Sequence, residues 1–225
     1  MPTERKYLAI GFDMDSTLLE TDIDYIRLRR VVHDIFIEAG IPERAIANKD
    51  SPITFMGLNY LRDNGRSDDI PKVQKKIRRM TADVEIENAA AARLYEGGRD
   101  MLRHLRDRGY RIGVLTRGSR RYATAALTAA GVIDELDALA CRDDHDELDA
   151  KPSPVAMHRF ASSLGVTAKD ILYLGDHNND YKCARDSGAG FIGVLTRYTK
   201  EDWFAVDVNI KTIRTVADLT GIIKN

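Results

Sequence analysis

Residues 7–18 read Tyr-Leu-Ala-Ile-Gly-Phe-Asp-Met-Asp-Ser-Thr-Leu, and this stretch decides how the rest of the chain is interpreted. Its apolar first half predicts a short buried strand. Two carboxylates, Asp13 and Asp15, follow, and the Ser-Thr pair after them favours a turn. Carboxylates at the end of a buried strand are costly unless their charge is compensated, and Mg²⁺ would compensate it through hard oxygen ligands. A helix cap or a turn after the strand would explain the same residues.

Three further segments place a small polar or charged group at the end of an apolar run or at the start of a helical pattern. The groups are a Thr-Arg-Gly turn, a lysine before a helix and two aspartates after a strand: Thr116, Arg117, Gly118, Lys151, Asp176 and Asp180. In open α/β sheets, ligands bind outside the carboxyl ends of the strands. The segments therefore converge on one site if their strands share one sheet.

Each of these residues, taken alone, has an ordinary structural explanation. Thr116 is also typical of a helix cap, and Lys151 of a surface lysine before a helix. Asp180 follows Asp176 by four residues, which places both carboxylates on one side of a helical turn. The combination of segments in this order is what favours a shared site.

In this order and spacing, the segments resemble the motifs of the haloacid dehalogenase-like (HAD) hydrolase superfamily, most of whose members are phosphatases. The resemblance covers nearly the whole chain and extends to phosphatases of the phosphoglycolate phosphatase type, which carry a helical cap after the first motif. It implies an α/β fold, in which a Rossmann-like parallel sheet has helices on both faces and a small α-helical cap domain is added. Capped members usually have Gly where this chain has Ser16, so the substrate does not follow from the motifs.

The resemblance also implies a role for each matched residue. Asp13 would be the nucleophile that forms an aspartyl-phosphate, and Asp15 the general acid–base, whose backbone carbonyl also binds the metal. The implied catalytic residues are Asp13, Asp15, Thr116 and Lys151. The implied substrate-binding residues are Thr116, Arg117, Gly118 and Lys151. The implied ligands of Mg²⁺ are Asp13, Asp15, Asp176 and Asp180.

The apolar patterns divide the chain into two parts. Between residues 21 and 95 they predict one helix after another, at 28–39, 53–61 and 71–84. From residue 97 onward, predicted helices alternate with strands at 112–115, 136–141, 171–175, 191–195 and, at the sheet edge, 206–210. Alternation of this kind indicates a parallel sheet. We therefore expect an α/β core of residues 1–19 and 96–225 and a helical cap of residues 20–95.

Composition narrows the class of protein. The chain has 225 residues, of which 44% are hydrophobic and 31% charged, and 34 basic residues against 35 acidic ones leave a formal net charge of -1. This balance predicts no attraction to nucleic acid or to an anionic membrane. Two cysteines are too few for a disulfide scaffold, and the first strand follows too closely on residue 1 for a signal peptide. We expect a cytoplasmic enzyme.

The leading hypothesis is a Mg²⁺-dependent phosphatase that hydrolyses a small-molecule phosphate ester, as a monomer or homodimer. One alternative is a phosphosugar mutase of the β-phosphoglucomutase kind, which would form an isomer instead of releasing phosphate. Another alternative is a catalytically silent binding protein on the same fold. All of the matched carboxylates and the matched lysine are present, which argues against a silent protein.

Four other features have two interpretations each. His177 could touch substrate or be an ordinary loop residue, and residues 48–59 are candidates for facing the substrate from the cap. The acidic stretch 143–149 could suggest a second metal site but lacks ligand spacing, so it predicts a solvated loop. The basic face of the helix at 71–84 is either solvated or attracts an anionic substrate.

Overall fold

The structure, a computed structural model, describes residues 6–48 and 51–223. The N-terminal segment on which the expectation about a signal peptide rests lies outside the described residues, and so do positions 49–50 of the candidate segment 48–59. Within the described part of the chain, no helix is both long and apolar enough to cross a membrane.

Eight β-strands and nine α-helices occur in the described residues. The strands are β1 (Ala9–Phe12), β2 (Leu19–Glu20), β3 (Arg93–Leu94), β4 (Arg111–Leu115), β5 (Ala138–Ala140), β6 (Ile171–Gly175), β7 (Gly190–Val194) and β8 (Lys211–Ile213). The helices are α1 (Tyr25–Glu38), α2 (Ile53–Asp63), α3 (Ile70–Ile86), α4 (Gly98–Asp107), α5 (Arg120–Ala129), α6 (Pro154–Ser163), α7 (Asn178–Ser187), α8 (Lys200–Val206) and α9 (Leu219–Ile222). The three helices α1–α3 thus separate the first two strands from the alternating remainder.

Among the described residues, six strands form one parallel sheet in the order β5-β4-β1-β6-β7-β8. The chain extends the sheet from β1 through β4 and β5 on one side, then crosses to build β6, β7 and β8 on the other. The order therefore reverses beside β1, and ligands of such sheets bind at that point. The predicted Rossmann-like α/β fold is confirmed.

Alternate residues of the strands enter two different cores, one on each face of the sheet. On one face, Ile10 and Phe12 of β1 pack with apolar residues of α4, α5 and α9. On the other face, Ala9 of β1 packs with α6 and α7. This alternation follows from the two-residue period of a strand and explains why the parallel strands read as continuous apolar runs.

Phe160 of α6 fills the second core because two strand residues lack side chains. A Cβ at Gly11 would lie 2.7 Å from the Phe160 ring, and a Cβ at Gly113 would come equally close. Glycine in a strand interior marks such a close approach. The pair of glycines thus lets α6 press directly on β1 and β4, which deliver the first two motifs.

The inserted helices α1–α3 have an apolar core of their own. It includes Val32, Ile35 and Phe36 of α1, Leu58 and Leu61 of α2, and Val73 and Ile77 of α3. At their base, β2 and β3 pair antiparallel, so the chain leaves and re-enters the sheet part at one place. This two-stranded link was not predicted, since two-residue strands show no periodicity.

The predicted edge strand at 206–210 is wrong. Val206 ends α8, and the edge strand is β8, which begins at Lys211. Helix α8 begins at a capping box, in which Thr199 and Asp202 each accept a backbone N–H of the other. Trp203 of α8 is fully buried. The helix that this box begins extends to Val206, the first residue of the predicted strand.

Candidate active site

The candidate site is a cavity of about 310 Å³ between the carboxyl ends of the central strands and the inserted helices. Its walls include every residue that the sequence predicted for the site: Asp13, Asp15, Thr116, Arg117, Gly118, Lys151, Asp176 and Asp180. The structure therefore brings all eight together, although they come from segments spread over most of the chain.

Lys151 is the buried cation at the base of the cavity. Its side chain is only 2% exposed, and Nζ donates to Asp13 Oδ1 at 2.6 Å and to Asp180 Oδ1 at 2.6 Å. The Tyr173 hydroxyl accepts a third hydrogen bond from Nζ at 2.8 Å. Burial alone would lower the pKa of Lys151, but the carboxylates of Asp13 and Asp180 raise it above its ordinary value. The alternative of a surface lysine is wrong.

Asp13, Asp176 and Asp180 form a compact carboxylate cluster. Each offers an oxygen within 4.8 Å of the others, and all three residues are buried. Burial, with the neighbouring Asp180, raises the pKa of Asp176 to about 7. Burial also raises the pKa of Asp13, although Lys151 opposes the change. One ammonium cannot neutralise three buried carboxylates, so the cluster has room for further positive charge.

A magnesium ion fits this donor set. The buried Oδ2 of Asp176 has no hydrogen-bond partner among the described residues, and the nearest cation, Arg197, places Nε 3.7 Å away. Asp180 is already held by Lys151, and its Oδ2 accepts the His177 backbone N–H at 3.1 Å. Hard carboxylate oxygens with an unused lone pair are suitable ligands for Mg²⁺.

Asp15 also lines the cavity. Its carboxyl group forms hydrogen bonds with residues outside the cluster of Asp13, Asp176 and Asp180. Oδ1 accepts a hydrogen bond from the Tyr122 hydroxyl at 2.6 Å and another from Thr21 Oγ1 at 2.9 Å. Burial raises the pKa of Asp15 to about 6, against the opposing effect of these two donors. Asp15 therefore keeps a proton at a pH where an ordinary aspartate has lost it.

The backbone before Thr17 adopts a conformation that glycine favours. Ser16 has a φ of 59°, in the left-handed region. Its N–H donates to the Leu19 carbonyl at 2.9 Å, and its own carbonyl accepts from the Thr196 hydroxyl. These bonds hold a serine in the tight turn that carries Asp13 and Asp15, where the resemblance leads one to expect glycine.

The turn after β4 positions the second motif. Thr116 is buried, and its Oγ1 accepts the Gly118 N–H at 2.9 Å. Ser119, not Thr116, caps α5, so the cap explanation of Thr116 is wrong. Arg117 donates to the Lys151 carbonyl and lies over the Phe55 ring at 5.8 Å. Burial, together with the neighbouring Arg142, lowers the pKa of Arg117 to about 10.

His177 holds the loop that carries Asp176 and Asp180. Its Nδ1 accepts the Asn179 N–H at 3.1 Å, which makes it the cap of α7. The ring also lines the cavity, and burial lowers the pKa of His177. His177 thus stabilises the loop through its Nδ1 atom, and its ring also forms part of the cavity wall.

The inserted helices and the segment before α2 line the side of the cavity opposite the sheet. Ser51, Pro52, Ile53 and Thr54 line it, which places part of the predicted segment 48–59 at the site. Each inserted helix also meets one arginine of the sheet part. Tyr25 of α1 lies under Arg197 at 4.7 Å, Phe55 of α2 under Arg117, and Glu85 of α3 binds Arg142 at 2.9 Å.

The prediction of a solvated loop at 143–149 is wrong for Glu147. Glu147 is 1% exposed and lies 3.5 Å from Arg78 of α3 and 3.7 Å from Arg142. Gln74 of α3 also donates to Asp146 at 3.0 Å. The acidic stretch therefore docks onto α3, because Arg78, which is far away in sequence, faces it there.

Sequence reasoning missed several residues of the site. They are Thr21, Glu85, Tyr122, Arg142, Tyr173 and Arg197, which supply hydrogen bonds or charge to the predicted residues. Tyr122 and Tyr173 occur within an ordinary helix and an ordinary strand, where an aromatic residue predicts packing. The other four occur among many polar residues, and no pattern in the sequence distinguishes them.

Comparison with known proteins adds family evidence to this geometry. Residues 10–194 match the family model described as "Haloacid dehalogenase-like hydrolase". The match begins in β1 and ends in β7, so it includes all of the motif residues and the inserted helices.

Relatives with established names are similar along most of the chain. N-acetylmuramic acid 6-phosphate phosphatase of Pseudomonas aeruginosa is 26% identical over 84% of this chain and 82% of its own length. Validoxylamine A 7'-phosphate phosphatase of Streptomyces hygroscopicus subsp. limoneus is 26% identical over 93% and 96%. The crystal structure of a predicted phosphoglycolate phosphatase from Haemophilus somnus 129pt has the same fold, with a TM-score of 0.65, 18% identity and coverage of 99% and 100%.

Proposed function

Since the chain belongs to the haloacid dehalogenase-like hydrolase family and is a phosphoric monoester hydrolase of the phosphoglycolate phosphatase type, we propose that it cleaves a small-molecule phosphate ester with Mg²⁺ through an aspartyl-phosphate on Asp13. The observation that carries the proposal is the position of Asp13 beside Lys151, Asp176 and Asp180 in one cavity. A small metabolite fits a cavity of about 310 Å³. Two free cysteines agree with a cytoplasmic location.

Asp13 is suited to attack phosphorus. Lys151 neutralises the charge on one of its oxygens and would also draw the anionic phosphoryl group toward it. Thr116 and Arg117 at the end of β4 would bind the phosphoryl oxygens from the other side. Attack forms a bond between an Asp13 oxygen and phosphorus and breaks the bond from phosphorus to the leaving oxygen.

Asp15 supplies the proton that the leaving oxygen needs. A carboxyl group that keeps its proton up to a pKa of about 6 can donate it to the departing alkoxide. The resulting carboxylate would then take a proton from the water that hydrolyses the aspartyl-phosphate. This second step returns Asp13 and Asp15 to their starting forms.

Mg²⁺ would be held by Asp13, Asp176 and Asp180, with the backbone carbonyl of Asp15. When bound, it supplies positive charge that neutralises phosphoryl oxygens.

We further propose that residues 20–95 act as a cap domain on a core of residues 1–19 and 96–225. The separate apolar cluster of α1–α3 and the single two-stranded link at their base support this division. Tyr25, Thr54 and Thr81 line the cavity from the cap side. The cap would exclude water and contribute to the choice of substrate.

The test is phosphate release from p-nitrophenyl phosphate and from a panel of metabolite esters, with Mg²⁺ and with a chelator. The panel includes N-acetylmuramic acid 6-phosphate, validoxylamine A 7'-phosphate, phosphoglycolate and simple hexose phosphates. Asp13→Asn keeps the size of the side chain and removes the nucleophile, so turnover should fall at least about 10³-fold. Unfolding of both proteins is followed by circular dichroism to show that the fold is intact.

Mg²⁺-dependent phosphate release that Asp13→Asn abolishes supports the proposal. The relative rates on the esters of the panel then indicate which substrate class the cap selects. Full activity of Asp13→Asn would rule out Asp13 as nucleophile. Conversion of a phosphosugar to an isomer without phosphate release would contradict the proposed hydrolysis and support a mutase reaction.

A further inference from the structure

Tyr122 of α5 makes a hydrogen bond that its position in the sequence does not suggest. The side chain is 1% exposed, and its hydroxyl donates to Asp15 Oδ1 at 2.6 Å across a sequence separation of 107 residues. A bond of this length to a carboxyl oxygen is at the strong end for an O–H donor. Phenylalanine would fill the same space without donating, so packing alone does not require tyrosine.

Two donors share one oxygen of Asp15. Thr21 Oγ1 donates to Oδ1 at 2.9 Å, in addition to Tyr122. A carboxyl oxygen has two lone-pair positions, so these donors use both positions on Oδ1. Oδ2 is therefore the oxygen that remains able to bind and release a proton.

The structure holds the Tyr122 ring in this position from two directions. Gly118 lies against it, since a Cβ there would come within 2.9 Å of the ring. Ser119 caps α5, and its backbone N–H donates to Glu85 Oε2 of α3 at 3.0 Å. The start of the helix that carries Tyr122 is thus tied to the inserted helices. A larger residue at 118 would therefore overlap the ring in its present position.

We propose that Tyr122 is a positioning residue that fixes the Asp15 carboxyl group so that Oδ2 exchanges the proton with the substrate. The inference rests on the proposed function, because it assigns a task to Tyr122 in the transfer of the phosphoryl group. In that step the bond from phosphorus to the leaving oxygen breaks, and the leaving oxygen takes the proton of Asp15 Oδ2. The Tyr122 hydroxyl keeps its own proton throughout.

The dependence on the leaving group tests this role. A p-nitrophenolate leaves without a proton, whereas the oxygen of phenyl or alkyl phosphate needs one from the general acid. We measure kcat/KM of wild type and Tyr122→Phe on substituted phenyl phosphates of increasing leaving-group pKa and on the best alkyl ester. This ratio reports only steps up to departure of the leaving group, so hydrolysis of the aspartyl-phosphate does not enter.

We expect Tyr122→Phe to stay within about threefold of wild type on p-nitrophenyl phosphate and to lose about tenfold or more on phenyl and alkyl phosphate. Tyr181→Phe is the matched control. Its hydroxyl donates to Asp207 outside the cavity, and the variant should lose equally little on every ester. An equal loss of Tyr122→Phe along the whole series would overturn the inference.

A second comparison separates positioning from general damage to the fold. If Tyr122 acts only through Asp15, Tyr122→Phe should cause no further loss in an Asp15→Asn background, measured on the least activated ester that this background still cleaves. Additive losses would contradict the inference. Absence of phosphate release by wild type itself would instead contradict the proposed function, so the two failures are distinguishable.

Discussion

Lys151 is the single residue on which the charge balance of the cavity depends most. Its ammonium lies between the buried carboxylates of Asp13 and Asp180. Lys151→Met keeps the length of the side chain and leaves both carboxylates without a cation, so it should lower the free energy of unfolding at neutral pH by about 3 kcal/mol. Mg²⁺ should restore part of the loss, because it binds the same carboxylates.

Chemical denaturation with and without Mg²⁺ measures this effect, and phosphate release should fall strongly in parallel. Lys169→Met, which removes an exposed lysine, is the control and should change neither quantity. A Lys151→Met protein as stable and active as wild type would contradict the assigned position of the ammonium.

The raised pKa of Asp176 predicts that Mg²⁺ binding depends on pH. The pKa is about 7, so the carboxyl is protonated at pH 5.5 and ionised at pH 8. Because Mg²⁺ binds the ionised form, its affinity should rise about tenfold or more over this interval, with release of protons. Titration calorimetry of Mg²⁺ alone measures both quantities. Asp176→Asn should bind weakly at both pH values, and a wild-type affinity independent of pH would oppose the assignment.

At the scale of secondary structure, the packing of α1 against α2 depends on a glycine. A Cβ at Gly57 of α2 would overlap the Phe36 ring of α1, which is fully buried. Gly57→Ala should therefore destabilise the protein by about 1–3 kcal/mol, although alanine favours a helix.

Thermal unfolding of Gly57→Ala measures this cost. Gly221→Ala in α9 is the control, since among the described residues beyond its own helix turn no atom lies within 4 Å of a Cβ there, and it should leave stability unchanged or slightly higher. Equal stability of the two variants would mean that α1 and α2 pack less closely than described.

The elements themselves were largely predictable from apolar periodicity. Helices α1, α2 and α3 each contain most of the range predicted for them, and β4, β6 and β7 lie at the predicted apolar runs. The short β2 and β3 were not predictable, because two residues carry no period. The edge strand was misplaced because the apolar pattern at 206–210 begins on the last residue of α8 and ends just before β8.

At the scale of the whole molecule, the ion pair of Glu85 and Arg142 joins the inserted helices to the sheet part. Glu85 is 3% exposed and Arg142 10%, and they lie 2.9 Å apart. Glu85→Gln and Arg142→Met should each cost about 3 kcal/mol, because each removes the opposite charge that lies closest to a buried ionic group. The double variant should cost less than their sum, with a coupling of about 1–3 kcal/mol.

Denaturation of the four proteins measures the coupling, and KM should rise wherever the pair is broken, since both residues line the cavity. Arg121 and Asp83 also link α5 to α3, at 3.4 Å, but both are 63% exposed. A cycle on that pair should show a coupling near zero. Additive losses for Glu85 and Arg142 would mean that the two parts are held together by other contacts.

The sequence by itself determined the sheet, the inserted helices and the eight predicted residues of the cavity. Strand ends and helix starts are local features, and the parallel sheet gathers their carboxyl ends at one edge. Only the tertiary structure decided which side chains form hydrogen bonds and ion pairs around those residues. Tyr122 reaches Asp15 across 107 residues, and Arg142 reaches Glu85 across 57. Such partners are chosen by packing and by compensation of buried charge, which depend on distances that no local pattern records.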